Sequence, residues 1–114
     1  MASQGFVALI AAGKTPAWKA FNAQVTGPRR KDFETECRKA GMTHLTVWLQ
    51  PTPMGDLAVL YFEGKEPAKA NSIIAASASP FAMWFKQQIK DLYGMELGQI
   101  AALPTPEAGI DLTF

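Results

Sequence analysis

Cysteine and histidine each occur once, as Cys37 and His44. A single thiol excludes a disulfide framework within the chain, and one cysteine with one histidine excludes a zinc cluster built from it alone. Excess charge is equally scarce: 11 basic residues stand against 10 acidic ones, a formal +1. That balance leaves no electrostatic footprint for nucleic acid, which is not expected as a partner. The longest apolar run, Phe6 to Ala12, falls far short of the about 20 residues a membrane helix needs. No basic segment precedes it to make a secretory signal. No membrane partner is expected, and one thiol without a signal points to the cytoplasm. A glycine-rich phosphate loop, metal-ligand spacing and a nucleophile elbow are also missing, so no metal and no cofactor are expected.

What the chain has is an ordinary folded composition: 114 residues, 48% of them hydrophobic. That is enough for one domain spanning 1–114 with its own core. Gly5 to Ala12 reads as a buried first strand. Thr15-Pro16 reads as a helix start, with Thr15 the N-cap. Trp18, Phe21 and Val25 then share one helix face. Gly27-Pro28 interrupts, and Phe33, Cys37 and Ala40 form a second stripe that Gly41 ends.

His44 to Gln50 alternates as a strand does, and Leu57 to Glu63 answers it across the turn Pro51 to Asp56. If aliphatic faces match, Leu45, Val47 and Leu49 pair with Ala58, Leu60 and Phe62. Trp48 and Thr46 then share the other face with Leu57, Val59 and Tyr61. A one-residue slip in the hairpin would flip that assignment. Glu66-Pro67 opens a helix running to about Ala78. Ser79-Pro80 caps another, carrying Phe81, Trp84, Phe85, Ile89 and Leu92 on one stripe until Tyr93-Gly94. Ile110 to Phe114 reads as a last strand.

This order predicts an α+β fold: a ferredoxin-like β-α-β-β-α-β sandwich with an extra helix towards the C-terminus. Helices cover one face of such a sheet, yet these strands carry large apolar residues on both. The second face needs a cover, and a second copy of the chain is the simplest one, making a homodimer.

Four segments carry a resemblance: Gly27 to Arg30, Val47 to Asp56, Tyr61 to Glu63, and Ser79 to Lys86. They resemble an uncharacterised group of small bacterial proteins in the dimeric α/β-barrel superfamily, over Phe6 to about Gly94. The resemblance implies protomers paired sheet against sheet. It also implies a small-molecule pocket between sheet and helices or inside the barrel. That superfamily holds cofactor-free monooxygenases, polyketide cyclases, haem-degrading enzymes and members without a known reaction, so it singles out no activity.

Several side chains are candidates for chemistry. His44 is a possible general base near neutral pH, or an idle residue at a strand start. Tyr61 and Trp48 each carry a polar tip on an apolar body. Trp84 belongs to a helix stripe and so to the core, or lines a pocket. Arg29, Arg30 and Lys31 oppose a helix dipole; either an anion or an Arg30–Glu34 pair explains them. Asp56 stands at the hairpin exit as an acid, a base or a turn cap. Cys37 reads as an inert thiol.

The function expected first is a cofactor-independent enzyme acting by proton transfer on a hydrophobic or aromatic small molecule, in cyclisation, isomerisation or oxygenation. His44 and Tyr61 would move the proton. Trp48, Thr46, Trp84, Arg30 and Asp56 would bind the ligand. The competing expectation is a ligand-binding or structural homodimer without catalysis.

Overall fold

The computed structural model describes residues 2–114. Three strands, β1 (Ala2–Leu9), β2 (Met42–Thr52) and β3 (Gly55–Gly64), form one antiparallel sheet in the order β1-β3-β2. Helices α1 (Thr15–Thr26) and α2 (Arg30–Lys39) connect β1 to β2. After β3 come α3 (Ala70–Ala76), α4 (Pro80–Tyr93) and α5 (Leu97–Ala101), with a short 3-10 turn at Pro67–Lys69 leading into α3. The chain is an α+β protein with a three-stranded open sheet and five α-helices among the described residues. No helix among them is long and apolar enough to cross a membrane.

The hairpin adopts the register in which aliphatic faces match. Leu45 stands opposite Phe62, Val47 opposite Leu60 and Leu49 opposite Ala58. These side chains turn towards the helices and join the core with Trp18, Phe21, Val25, Phe81, Ile89 and Leu92. Both strands run closer to the turn than the sequence suggested. Pro51 pairs with Asp56 inside the ladder; β2 is an edge strand, where a residue lacking an N–H is tolerated. Thr52 Oγ1 closes the turn by donating to the Gly55 carbonyl and accepting from Met54 N–H at 3.2 Å.

Helix boundaries follow local chemistry in places and tertiary contacts in others. Ser79 caps α4 by accepting from Ala82 N–H at 3.1 Å, and Gly94 ends it at φ +70°. Gly41, at φ +81°, turns the chain from α2 into β2; only glycine adopts that conformation without cost. Thr15 is not the cap of α1. The position belongs to Lys14, without a side-chain bond, because the Thr15 hydroxyl donates to Asp56 Oδ2 at 2.7 Å. The first strand ends at Leu9 rather than Ala12, since Ala11 N–H turns away to the Leu92 carbonyl at 2.8 Å.

The expected last strand is not formed. Residues 110–114 make no ladder, and Ile110, Leu112 and Phe114 stand 83%, 68% and 111% exposed. The element order is therefore β-α-α-β-β-α-α-α, without the fourth strand of the expected sandwich. Pro104 and Pro106 lack the N–H groups a ladder needs and hold the approach to this segment extended.

Candidate functional site

Two surfaces merit attention, one on each side of the sheet. All the helices pack on the Leu45–Val47–Leu49 side. The opposite side carries Val7, Leu9 and Trp48, which are 54%, 57% and 52% exposed. Gln50 faces Leu57, Trp48 faces Val59 and Thr46 faces Tyr61 across the ladder on this side. The result is an open apolar face rimmed by polar side chains.

The concave site lies on the helical side. A cleft of about 970 Å³ opens between α1, α2, α4 and the outer half of the sheet. Its floor is Leu45, Val47 and Leu60; its walls include Phe21 and Val25 from α1, Phe33 and Cys37 from α2, and Phe85 and Ile89 from α4. Tyr93 lines it too, and a small, almost wholly apolar recess continues inward past Phe6, Phe62 and Ile74. The cleft exists because α2 is too polar to close it. Its sequence RKDFETECRK offers only Phe33 and Cys37 to the sheet, so three aliphatic strand residues stay half-buried.

Polar groups meet this apolar space at few points. Trp18 Nε1–H donates to the Tyr93 hydroxyl oxygen at 2.7 Å. With that oxygen engaged as acceptor, the phenol is oriented as a donor. Burial raises the Tyr93 pKa, so it remains a neutral O–H. At the rim, Arg30 Nε lies 2.7 Å and Arg38 Nη2 3.2 Å from the two oxygens of Glu34. The hydrogen bond from Arg30, with the charges of Arg30 and Arg38, holds the Glu34 carboxyl below its ordinary pKa. Two guanidiniums thus share one carboxylate and leave a positive rim.

Cys37 contributes a thiol, not a thiolate. Burial first, then Glu36 and Glu34, pushes its pKa up to about 12. Alkylation of the folded protein at pH 8 should run roughly a thousandfold slower than that of the unfolded chain, whose thiol ionises near 8.5. The sign for stability follows. The folded pKa is the higher one, so the neutral thiol supports folding below about pH 8.5, and that support drains away as pH rises towards 12. Thiol-labelling rates and an alkaline denaturation series check both statements; equal rates in the folded and unfolded protein would contradict them.

The sequence candidates divide between these surfaces. His44 borders the cleft mouth, beside the irregularity of β2 between Met42 and His44, but its ring turns to the open face. Its Nε2 shares a 2.9 Å hydrogen bond with Thr46 Oγ1, and its ring meets Tyr61 edge-on at 6.2 Å. Tyr61 lies on the open face. Its pKa is raised, chiefly by hydrogen bonding to Glu63 and then by desolvation and the Glu63 charge. That partner retains the phenol proton, and no hydrogen bond joins Tyr61 to His44. Trp48 lies on the open face as well. Arg30 stands on the cleft rim.

Trp84 and Asp56 lie away from the cleft. Trp84 packs between Phe21 and Phe81, with centroids at 5.7 and 5.6 Å, and Arg29 sits 3.9 Å over its ring. That contact and the Arg30–Glu34 pair account for the arginines at the start of α2 without an anion. Asp56 holds Thr15 at the far end of the hairpin.

Glu36 is the residue sequence reasoning missed. It is buried on a helix of charged residues and accepts from the Ser77 hydroxyl at 3.3 Å and from the Ser79 hydroxyl. Lys86 Nζ donates beside it to the Ala75 and Ser77 carbonyls, at 2.9 and 2.8 Å. This cluster pins α2 to the junction of α3 and α4. Among the described residues, no three His, Cys, Asp or Glu side chains gather as a metal site. No family model, no curated protein and no solved structure matches the chain.

Proposed function

We propose that this protein binds a hydrophobic or aromatic small molecule in the cleft between its sheet and helices, and does so as a homodimer. The observation that carries the reading is the cleft itself. About 970 Å³ of largely apolar space is the size of a small-molecule site, and its few polar groups are placed to orient a ligand. The Tyr93 O–H suits a ligand acceptor, and the shared rim of Arg30 and Arg38 suits an acidic group. The ligand class is therefore an apolar body carrying a carboxylate or sulfonate.

The dimer reading rests on the open face, whose Val7, Leu9 and Trp48 call for a cover. The order β1-β3-β2 is that of a ferredoxin-like sheet lacking its fourth strand. It supports assignment to the dimeric α/β-barrel superfamily, as does the resemblance of the hairpin and α4 segments. A single thiol suits a reducing compartment, the cytoplasm.

Anilinonaphthalene sulfonate, an aromatic amphipathic anion, provides the test. One probe should bind per chain, and Leu60→Trp, which fills the cleft floor, should abolish binding while circular dichroism stays unchanged. Arg30→Glu should weaken binding at least tenfold. No binding to the folded protein, or equal binding to the filled variant, overturns the reading.

A catalytic reading, proton transfer without a cofactor, is favoured by the edge contact between His44 and Tyr61 on the open face, beside the rim of the cleft. In it His44 is the base and Tyr61 a proton donor. Given a turnover assay, His44→Ala and Tyr61→Phe should each lower the rate by about 10²–10⁴-fold. Full activity in both variants removes them from the mechanism.

A further inference from the structure

We infer that residues 107–114 are an exchanged arm, which adds Ile110 to Phe114 as a strand to the free edge of β1 in a second copy of this chain. The inference rests on the dimer reading above and adds what makes that dimer stable.

The arm has the pattern of a strand but no sheet. Ile110, Leu112 and Phe114 alternate with Asp111 and Thr113, so one face is apolar and the other polar. All five stand exposed, Phe114 fully so. A strand in that condition leaves both its apolar side chains and its backbone groups to water.

The sheet has the matching vacancy. Its order leaves β1 and β2 as edges. Edge strands that must stay unpaired are blunted by proline, charge or a bulge. β2 carries Pro51 and the irregularity at Met42/His44. β1 reads ASQGFVAL, with no proline, no charge and no bulge along its eight paired residues. It is the unguarded edge.

Direction selects the second copy over the arm's own chain. Leu103 to Pro106 leave the body beside Gln4 and Phe6, along the first half of β1. From there the arm can follow the longer part of its own β1 only in parallel; the antiparallel direction leaves just the first few residues of the strand, which 107–109 pass before Ile110 is reached. An antiparallel pairing, the more stable kind, is open to it on another chain.

Area points the same way. Three strands about 4.8 Å apart and eight residues long at about 3.4 Å each give the open face a footprint of roughly 400 Å², about half of the ~800 Å² per partner in a stable interface. The exchanged arm supplies additional contact on each side.

Cross-linking tests the arrangement in a Cys37→Ser background. Chains carrying Thr113→Cys are mixed and equilibrated with chains carrying Gly5→Cys, then treated with a short bismaleimide. The expected product has the mass of two chains and forms only in the mixture. A doubly substituted chain that closes only on itself, at monomer mass, overturns the exchange. Truncation after Pro106 is the second arm: the dimer dissociation constant should rise at least tenfold. An unchanged constant overturns the arm and leaves the dimer standing. A full-length chain that sediments as a monomer at micromolar concentration overturns both.

Discussion

Trp48→Glu should convert the protein into a folded monomer, raising the dimer dissociation constant at least a hundredfold. Trp48 lies on the central apolar part of the open face, opposite Val59 and half exposed in the single chain. In a face-to-face dimer it is buried against the second copy, and two carboxylates facing each other there would be desolvated without partners. A hundredfold change is about 2.7 kcal/mol, modest beside the cost of burying an unpaired charge. Within one chain the side chain touches solvent, so the fold itself should tolerate the change. Sedimentation across a concentration series gives the constant, and far-ultraviolet circular dichroism confirms folding. A parent and variant with the same mass at every concentration would remove the open face from the interface.

The second large effect is expected at Trp18. It is 4% exposed on α1, in the same stripe as Phe21 and Val25, and its indole N–H donates to Tyr93 at the end of α4. Trp18→Ala should cost about 3–5 kcal/mol, as core Trp truncations do. In a domain of this size that corresponds to a fall in Tm of roughly 10–25 °C. Trp18→Phe keeps most of the ring and loses the hydrogen bond, which should cost only about 1–2 kcal/mol. Denaturant midpoints for the two variants separate packing from hydrogen bonding. Equal losses would show that the bond to Tyr93, rather than the ring, holds α1 to α4.

The sequence was most legible where periodicity met burial. The stripe Trp18–Phe21–Val25 is buried throughout, and Phe81, Ile89 and Leu92 of the α4 stripe are too. Matching the aliphatic faces of the hairpin led to the observed register, because a slip would turn Leu45, Val47 and Leu49 out of the core. Tertiary contacts decided the rest. Thr15 has the residue type and position of a cap, but Asp56, 41 residues away in sequence, takes its hydroxyl. Ile110 to Phe114 has a strand's alternation, yet a strand forms only where an edge receives it.

The candidate site was legible in a different way. Attention to rare and aromatic residues led to His44, Tyr61 and Trp48, which the structure gathers about the open face. The cleft is marked instead by something ordinary: a short helix with two apolar residues lying over a sheet of large aliphatic ones. Counting the apolar side chains of α2 against those of the strands beneath it was the available signal. Glu36 offered no signal, since one buried carboxylate among the charges of α2 has no periodicity to betray it.

A crystal structure of the protein grown with anilinonaphthalene sulfonate addresses the cleft most directly. The naphthalene should lie among Phe33, Phe85, Leu45 and Leu60, with the sulfonate against Arg30 and Arg38 and an acceptor within reach of Tyr93. Probe density confined to the open sheet face, or a cleft filled by its own side chains with the probe excluded, would contradict the proposed site.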